Sequence, residues 1–147
     1  MGAHPYWYFV KYQPNPQKAL DQLRESEFEA GRYNPVIRFL DFPVGPGAPA
    51  PGAQHSSIEE AMQDAAEDGT RSILDIHAVA EEPDFGVAAP LPSEVLESLY
   101  GTAQPTREMV EQNMYFFEDV ERGQCVYMVV YKDGKPSELF FAGYSFD

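Results

Sequence analysis

Apolar and polar positions along the chain change period several times, and each change marks an element. Residues 6–12, Tyr-Trp-Tyr-Phe-Val-Lys-Tyr, are almost all aromatic or β-branched and predict a first strand. Asn15-Pro16 reads as a helix cap followed by proline at the first helical position. That helix should run to about Ala30, with Ala19, Leu20, Leu23 and Phe28 as its apolar side and Gly31 as its terminator. Residues 36–42 suggest a short strand or an extended edge. Ser57-Ile58-Glu59-Glu60 is a capping box. Behind it, Ile58, Ala61, Met62, Ala65 and Ala66 form a helical stripe that Gly69 closes.

Residues 71–79 alternate in the manner of a strand. Ser72, Leu74, Ile76 and Ala78 would point one way, and Arg71, Ile73, Asp75, His77 and Val79 the other. A short strand at 87–91, a helix at 93–100 ended by Gly101, and a longer helix from 105 to about 120 follow. Met109, Val110, Asn113, Met114 and Phe117 would share one face of the longer helix. Two strands, 124–131 and 137–146, flank Lys132-Asp133-Gly134-Lys135, and Asp-Gly between apolar runs is a strong hairpin signal. Pairing across that turn sets Tyr127 opposite Phe140 and Val129 opposite Glu138. Val126, Met128 and Val130 would then share a face with Leu139 and Phe141. Both faces of this hairpin are apolar, which places it centrally in a sheet covered on both sides.

The order of elements predicts an α+β fold: a mostly antiparallel sheet of four or five strands, helices packed on it, and the C-terminal hairpin central. Residues 1–147 read as a single domain with a flexible loop at about 43–56, where Pro43, Pro46, Pro49 and Pro51 alternate with Gly45, Gly47 and Gly52. A chain of 147 residues has enough core to need no covalent staple, and the lone cysteine, Cys125, allows none within the chain. The longest apolar runs are too short to span a bilayer, and the N-terminus lacks the pattern of a secretory leader. A cytoplasmic setting is therefore expected.

Charge changes the picture most. Residues 1–56 carry five acids and five bases, and residues 122–147 carry three of each. Residues 57–121 hold sixteen acids against only Arg71 and Arg107, so they account for the whole net charge of −14. Such a field repels nucleic acid phosphates and anionic membranes and attracts a basic protein. The same acids also aid solubility.

Candidate chemistry is sparse. Arg71, Asp75 and His77 fall on one face of the expected strand, where residues two apart are about 6–7 Å from one another. An aspartate beside a histidine prepares a general base, and an arginine nearby holds an anionic substrate group. The same three residues also suit a structural ion-pair cluster. No nucleophile completes a triad: Ser72 faces away from His77, and Cys125 lies in a core-like strand. His4, His55 and His77 lack metal-ligand spacing, so no metal and no cofactor is expected. Tyr6, Tyr8, Tyr12, Tyr127, Tyr131 and Tyr144 fall largely at alternate strand positions and read as a covered sheet face.

Two functional expectations follow. The first is a non-catalytic protein-binding domain acting through an acidic surface, such as an immunity-protein-like or antitoxin-like neutraliser of a basic partner. Its candidate contacts are Glu59, Glu60, Asp64, Glu67, Asp68, Glu118, Asp119 and Glu121. The second is a small enzyme or ligand binder built around Arg71, Asp75 and His77. Association of copies through the aromatic face is a third possibility to be tested by solution mass.

Overall fold

The structure, a computed structural model, describes residues 3–38, 44 and 48–146. Five strands form one sheet in the order β1-β5-β4-β3-β2. They are β1 (Pro5–Lys11), β2 (Ala78–Val79), β3 (Val87–Pro90), β4 (Cys125–Lys132) and β5 (Lys135–Tyr144). The helices are α1 (Pro16–Ala30), α2 (Ile58–Asp64), α3 (Ser93–Tyr100) and α4 (Arg107–Gln112). Two 3-10 segments, Ile73–Asp75 and Tyr115–Asp119, complete the set.

The α+β class and the inner position of the hairpin are as expected, and the sheet is mixed. β1, β5 and β4 pair antiparallel, whereas β4 with β3 and β3 with β2 pair parallel. The chain leaves β3 and returns to β4 through α3 and α4, a crossover long enough for parallel neighbours.

The hairpin register differs by one residue from the expected one. Lys132 faces Lys135 and Tyr131 faces Pro136, as a two-residue Asp133-Gly134 turn requires, and both turn residues have positive φ. The register then shifts, so that Val130 faces Glu138, Val129 faces Leu139 and Tyr127 faces Phe141. The cause is an extra residue, Ser137, on β5 beside Pro136, which has no N–H to give the ladder. Tyr131 instead donates its N–H to the Pro105 carbonyl, and the Ser137 carbonyl accepts the N–H of Tyr12.

That shift sorts the core. One face gathers Tyr6, Tyr8 and Val10 of β1, Tyr127 and Val129 of β4, and Leu139 and Phe141 of β5. Leu20, Leu23, Phe28, Ala61, Ile73 and Leu74 cover it, from α1, α2 and the first 3-10 segment. The opposite face gathers Trp7, Phe9, Val126, Met128, Val130, Phe140 and Ala142 beneath Leu96, Val110, Phe116 and Val120. Val126, Met128 and Val130 therefore share a face with Phe140 and Ala142, not with Leu139 and Phe141. The consecutive Phe140 and Phe141 are both fully buried, one in each layer. Each contributes about 1.5–3 kcal/mol of transfer free energy.

Three other elements depart from expectation. Residues 71–79 do not form a strand; only Ala78–Val79 pairs. Ser72 Oγ accepts the Leu74 N–H at 3.2 Å and its carbonyl accepts the Asp75 N–H, so local bonds divert the backbone into a 3-10 turn. The helix expected from 105 to 120 breaks after Gln112. Asn113 adopts extended dihedrals, donates from Nδ2 to the Leu99 carbonyl and accepts the Tyr115 N–H at Oδ1. Residues 36–38 are not in a strand, and the rest of the strand expected there, 39–42, lies outside the described residues.

Candidate functional site

The Arg71, Asp75 and His77 constellation loses its common face with the strand. Arg71 has φ 54°, and its side chain is buried with a guanidinium nitrogen 3.8 Å from the Asp68 carboxylate. Asp75 Oδ1 accepts both the N–H and the hydroxyl of Thr70, each at 2.8 Å. Burial raises the Asp75 carboxyl above the usual aspartate range, while the Thr70 and Arg71 N–H groups and the Arg24 charge pull it down. The carboxylate thus staples the 69–75 loop from within. His77 lies on the surface with its ring against Gly86, and its N–H donates to the Gly86 carbonyl at 2.9 Å. Two of the three groups are buried and the third is exposed, so they do not line a common pocket.

A different constellation escaped the sequence. Tyr33 hydroxyl and His55 Nδ1 are 2.8 Å apart, and His55 Nε2 is 2.9 Å from Asp64 Oδ2. The neutral ring satisfies both contacts when Nε2–H donates to the carboxylate and Nδ1 accepts the tyrosine O–H. Tyr33 is fully buried, and its ring stacks on Phe28 with centroids 5.8 Å apart. Burial raises its hydroxyl pKa, with Asp64 and Glu60 adding to the rise. The hydroxyl is closed to a substrate, so the relay is a clasp. It ties the second half of the Pro/Gly loop to α2 and to the end of α1, where Gly52 and Ala53 also donate to the Ala30 and Glu29 carbonyls. The signal in the sequence was His55 two residues before a helix cap, with Asp64 on that helix.

The predicted contact acids are all exposed: Glu59, Glu60, Asp64, Glu67 and Asp68, and Glu118, Asp119 and Glu121. The structure does not bring the eight together. The first five sit on α2 and the turn after it, above the Tyr6–Phe141 face of the sheet. The last three sit in or just after the second 3-10 segment, above the Trp7–Phe140 face. Three are engaged locally: Asp68 pairs with Arg71, Asp64 holds His55, and Glu60 accepts the hydroxyl and N–H of Ser56, which lowers its carboxyl pKa. The capping box is therefore shifted. Ser57 caps the Glu60 N–H, but the Glu60 carboxylate reaches Ser56, one residue before the cap.

The arginines of this acidic segment are both turned to internal partners. Arg107 donates to Glu138 at 2.9 Å, lies 3.6 Å from Glu111, and stacks 4.2 Å from the centre of the Phe9 ring. Cys125 is buried, and burial pushes its thiol up to about 12, outside the reactive range. Among the described residues no group of three His, Cys, Asp or Glu side chains is placed to hold a metal ion, and no helix is long and apolar enough to cross a membrane. Comparison with family models, with curated proteins and with solved structures found no match.

Proposed function

We propose that this chain is a non-catalytic, cytoplasmic protein-binding domain that engages a basic partner through its exposed carboxylates, in the manner of an immunity protein or antitoxin. The observation that carries the reading is the disposition of charge in residues 57–121. Its contact carboxylates face solvent, while Arg71 and Arg107 turn to partners within the molecule. Fields of one sign steer association and fade with salt.

The test is affinity capture from the source cells at low and high salt, with the native chain and a variant carrying Glu59→Gln, Glu67→Gln, Glu118→Gln, Asp119→Asn and Glu121→Gln. A basic protein held by the native chain at low salt, and lost from the variant, supports the reading. Association that ignores salt, or that the variant retains, refutes it.

A further inference from the structure

The two groups of acids differ in what lies between them. Among the described residues, three large hydrophobic side chains are exposed: Phe85, Met109 and Tyr115. Phe85 leans on Phe146, with ring centroids 5.4 Å apart, and covers Gly123. Met109 and Tyr115 are 40% and 70% exposed, and they stand on either side of the break at Asn113. The break is held from three directions. Asn113 donates to the Leu99 carbonyl, accepts the Tyr115 N–H, and its own carbonyl accepts the Tyr100 hydroxyl at 2.7 Å. Val110 and Phe116 anchor the backbone from below. Tyr115 is thus presented outward by a fixed backbone, so ordering it on contact costs little.

On α4 and the stretch after it the exposed acids are Glu108, Glu111, Glu118, Asp119 and Glu121, against two exposed cations, Arg107, which is tied to Glu138 and Phe9, and Arg122. An aromatic and a thioether on a stretch where exposed acids outnumber bases are complementary to a cationic segment that carries apolar side chains. The α2 group has no such centre: Ile58 packs against the core, and Met62 is half-buried. The geometry points to the α4 and Tyr115–Asp119 face as the docking surface, with Met109 and Tyr115 as anchors for an apolar residue of a basic protein segment. This rests on the acidic-domain reading and selects one of its two faces.

Two synthetic peptides of equal length and charge test it, one of lysine with leucine and phenylalanine, the other of lysine with serine. Calorimetric titration of the full chain at low salt should give binding of the apolar peptide about tenfold tighter than of the serine peptide. The doubly substituted Met109→Ser, Tyr115→Ser chain should lose that margin, and Tyr115→Phe should keep it. All substitutions are at exposed positions, and circular dichroism verifies the fold. A margin that survives the double serine variant, or equal binding of the two peptides, overturns the inference and leaves the acidic reading standing. If neither peptide binds the native chain, the acidic reading fails and takes the inference with it.

Discussion

Gly143 offers the sharpest test of the packing described above. It lies on β5 between β1 and β4, opposite Tyr6 on one side and Cys125 on the other. A methyl group there would meet the Gln124 carbonyl oxygen at 2.5 Å, the Tyr6 hydroxyl at 2.7 Å and Cys125 Cα at 3.0 Å. Comfortable contacts lie near 3.5–4.0 Å, so the first two overlap by roughly an ångström. The carbonyl belongs to the backbone and Tyr6 is fully buried, so neither can swing aside. Gly143→Ala should therefore fall at the upper end of overpacking costs, about 3 kcal/mol. With a urea slope of about 1–3 kcal/mol per molar, the midpoint should drop by roughly 1–3 M. Tyr6→Phe supplies the control. The Tyr6 hydroxyl is buried beside the Cys125 thiol without a partner at hydrogen-bonding geometry, and burial raises its pKa well above the ordinary tyrosine value. An unsatisfied buried hydroxyl costs about 1–3 kcal/mol, so its removal should be neutral or stabilising. In that background the alanine should cost less by about 0.5–1 kcal/mol, because one of its two hard contacts has gone. Urea unfolding followed by Trp7 fluorescence measures all four proteins. An unchanged midpoint for Gly143→Ala, or strictly additive substitutions, refutes the argument.

Asp75 gives a pH dependence with a definite sign. Burial raises its native pKa above that of the unfolded chain, so the stability it contributes is complete below the unfolded value, about 3.9, and is lost as pH rises through the native value. Asp75→Asn keeps an acceptor for Thr70 and removes the titration. Its urea midpoint should therefore gain on the native protein as pH is raised from about 4, and parallel profiles would show that the buried charge is fully compensated. His55→Phe keeps a ring against Tyr33 but removes both hydrogen bonds of the clasp. It should cost about 1–3 kcal/mol and speed proteolysis within residues 48–56, and equal cleavage rates for the two proteins would mean that the clasp holds nothing.

The parts of the fold legible in the sequence are those in which one local signal decides. Asn15-Pro16 and Gly31 bound α1 because capping is a property of neighbours: Asn15 accepts the Lys18 N–H, and the left-handed Gly31 donates to the Phe28 carbonyl. Asp133-Gly134 fixed the turn for the same reason. The register further out follows the extra residue Ser137, whose carbonyl accepts the N–H of Tyr12, 125 positions away in the chain. Residues 71–79 misled because alternation is only half of a strand. Ser72 and Asp75 have local backbone partners, and those bonds hold a 3-10 turn in place of a strand. Asn113 broke an apolar stripe that otherwise runs on, since its amide found the Leu99 carbonyl on α3.

The site was legible as charge and illegible as shape. Sequence alone shows that residues 57–121 carry the acidic excess, because charge adds along the chain whatever the fold. It does not show that the segment crosses from one helical layer to the other, between α2 and the Tyr115–Asp119 turn, so that the sheet divides the acids. That division matters physically. Carboxylates on opposite sides of a domain add to the long-range field that draws a basic partner in, but only one side can touch it at a time. Under the proposed function, steering is shared by the whole segment, while the final contact falls to the face with something apolar to bury. Met109 and Tyr115 are the exposed large side chains on that face, and they were read from the sequence either as part of a helical stripe or not at all. The break at Asn113 is what takes Tyr115 out of the helix and leaves its ring exposed.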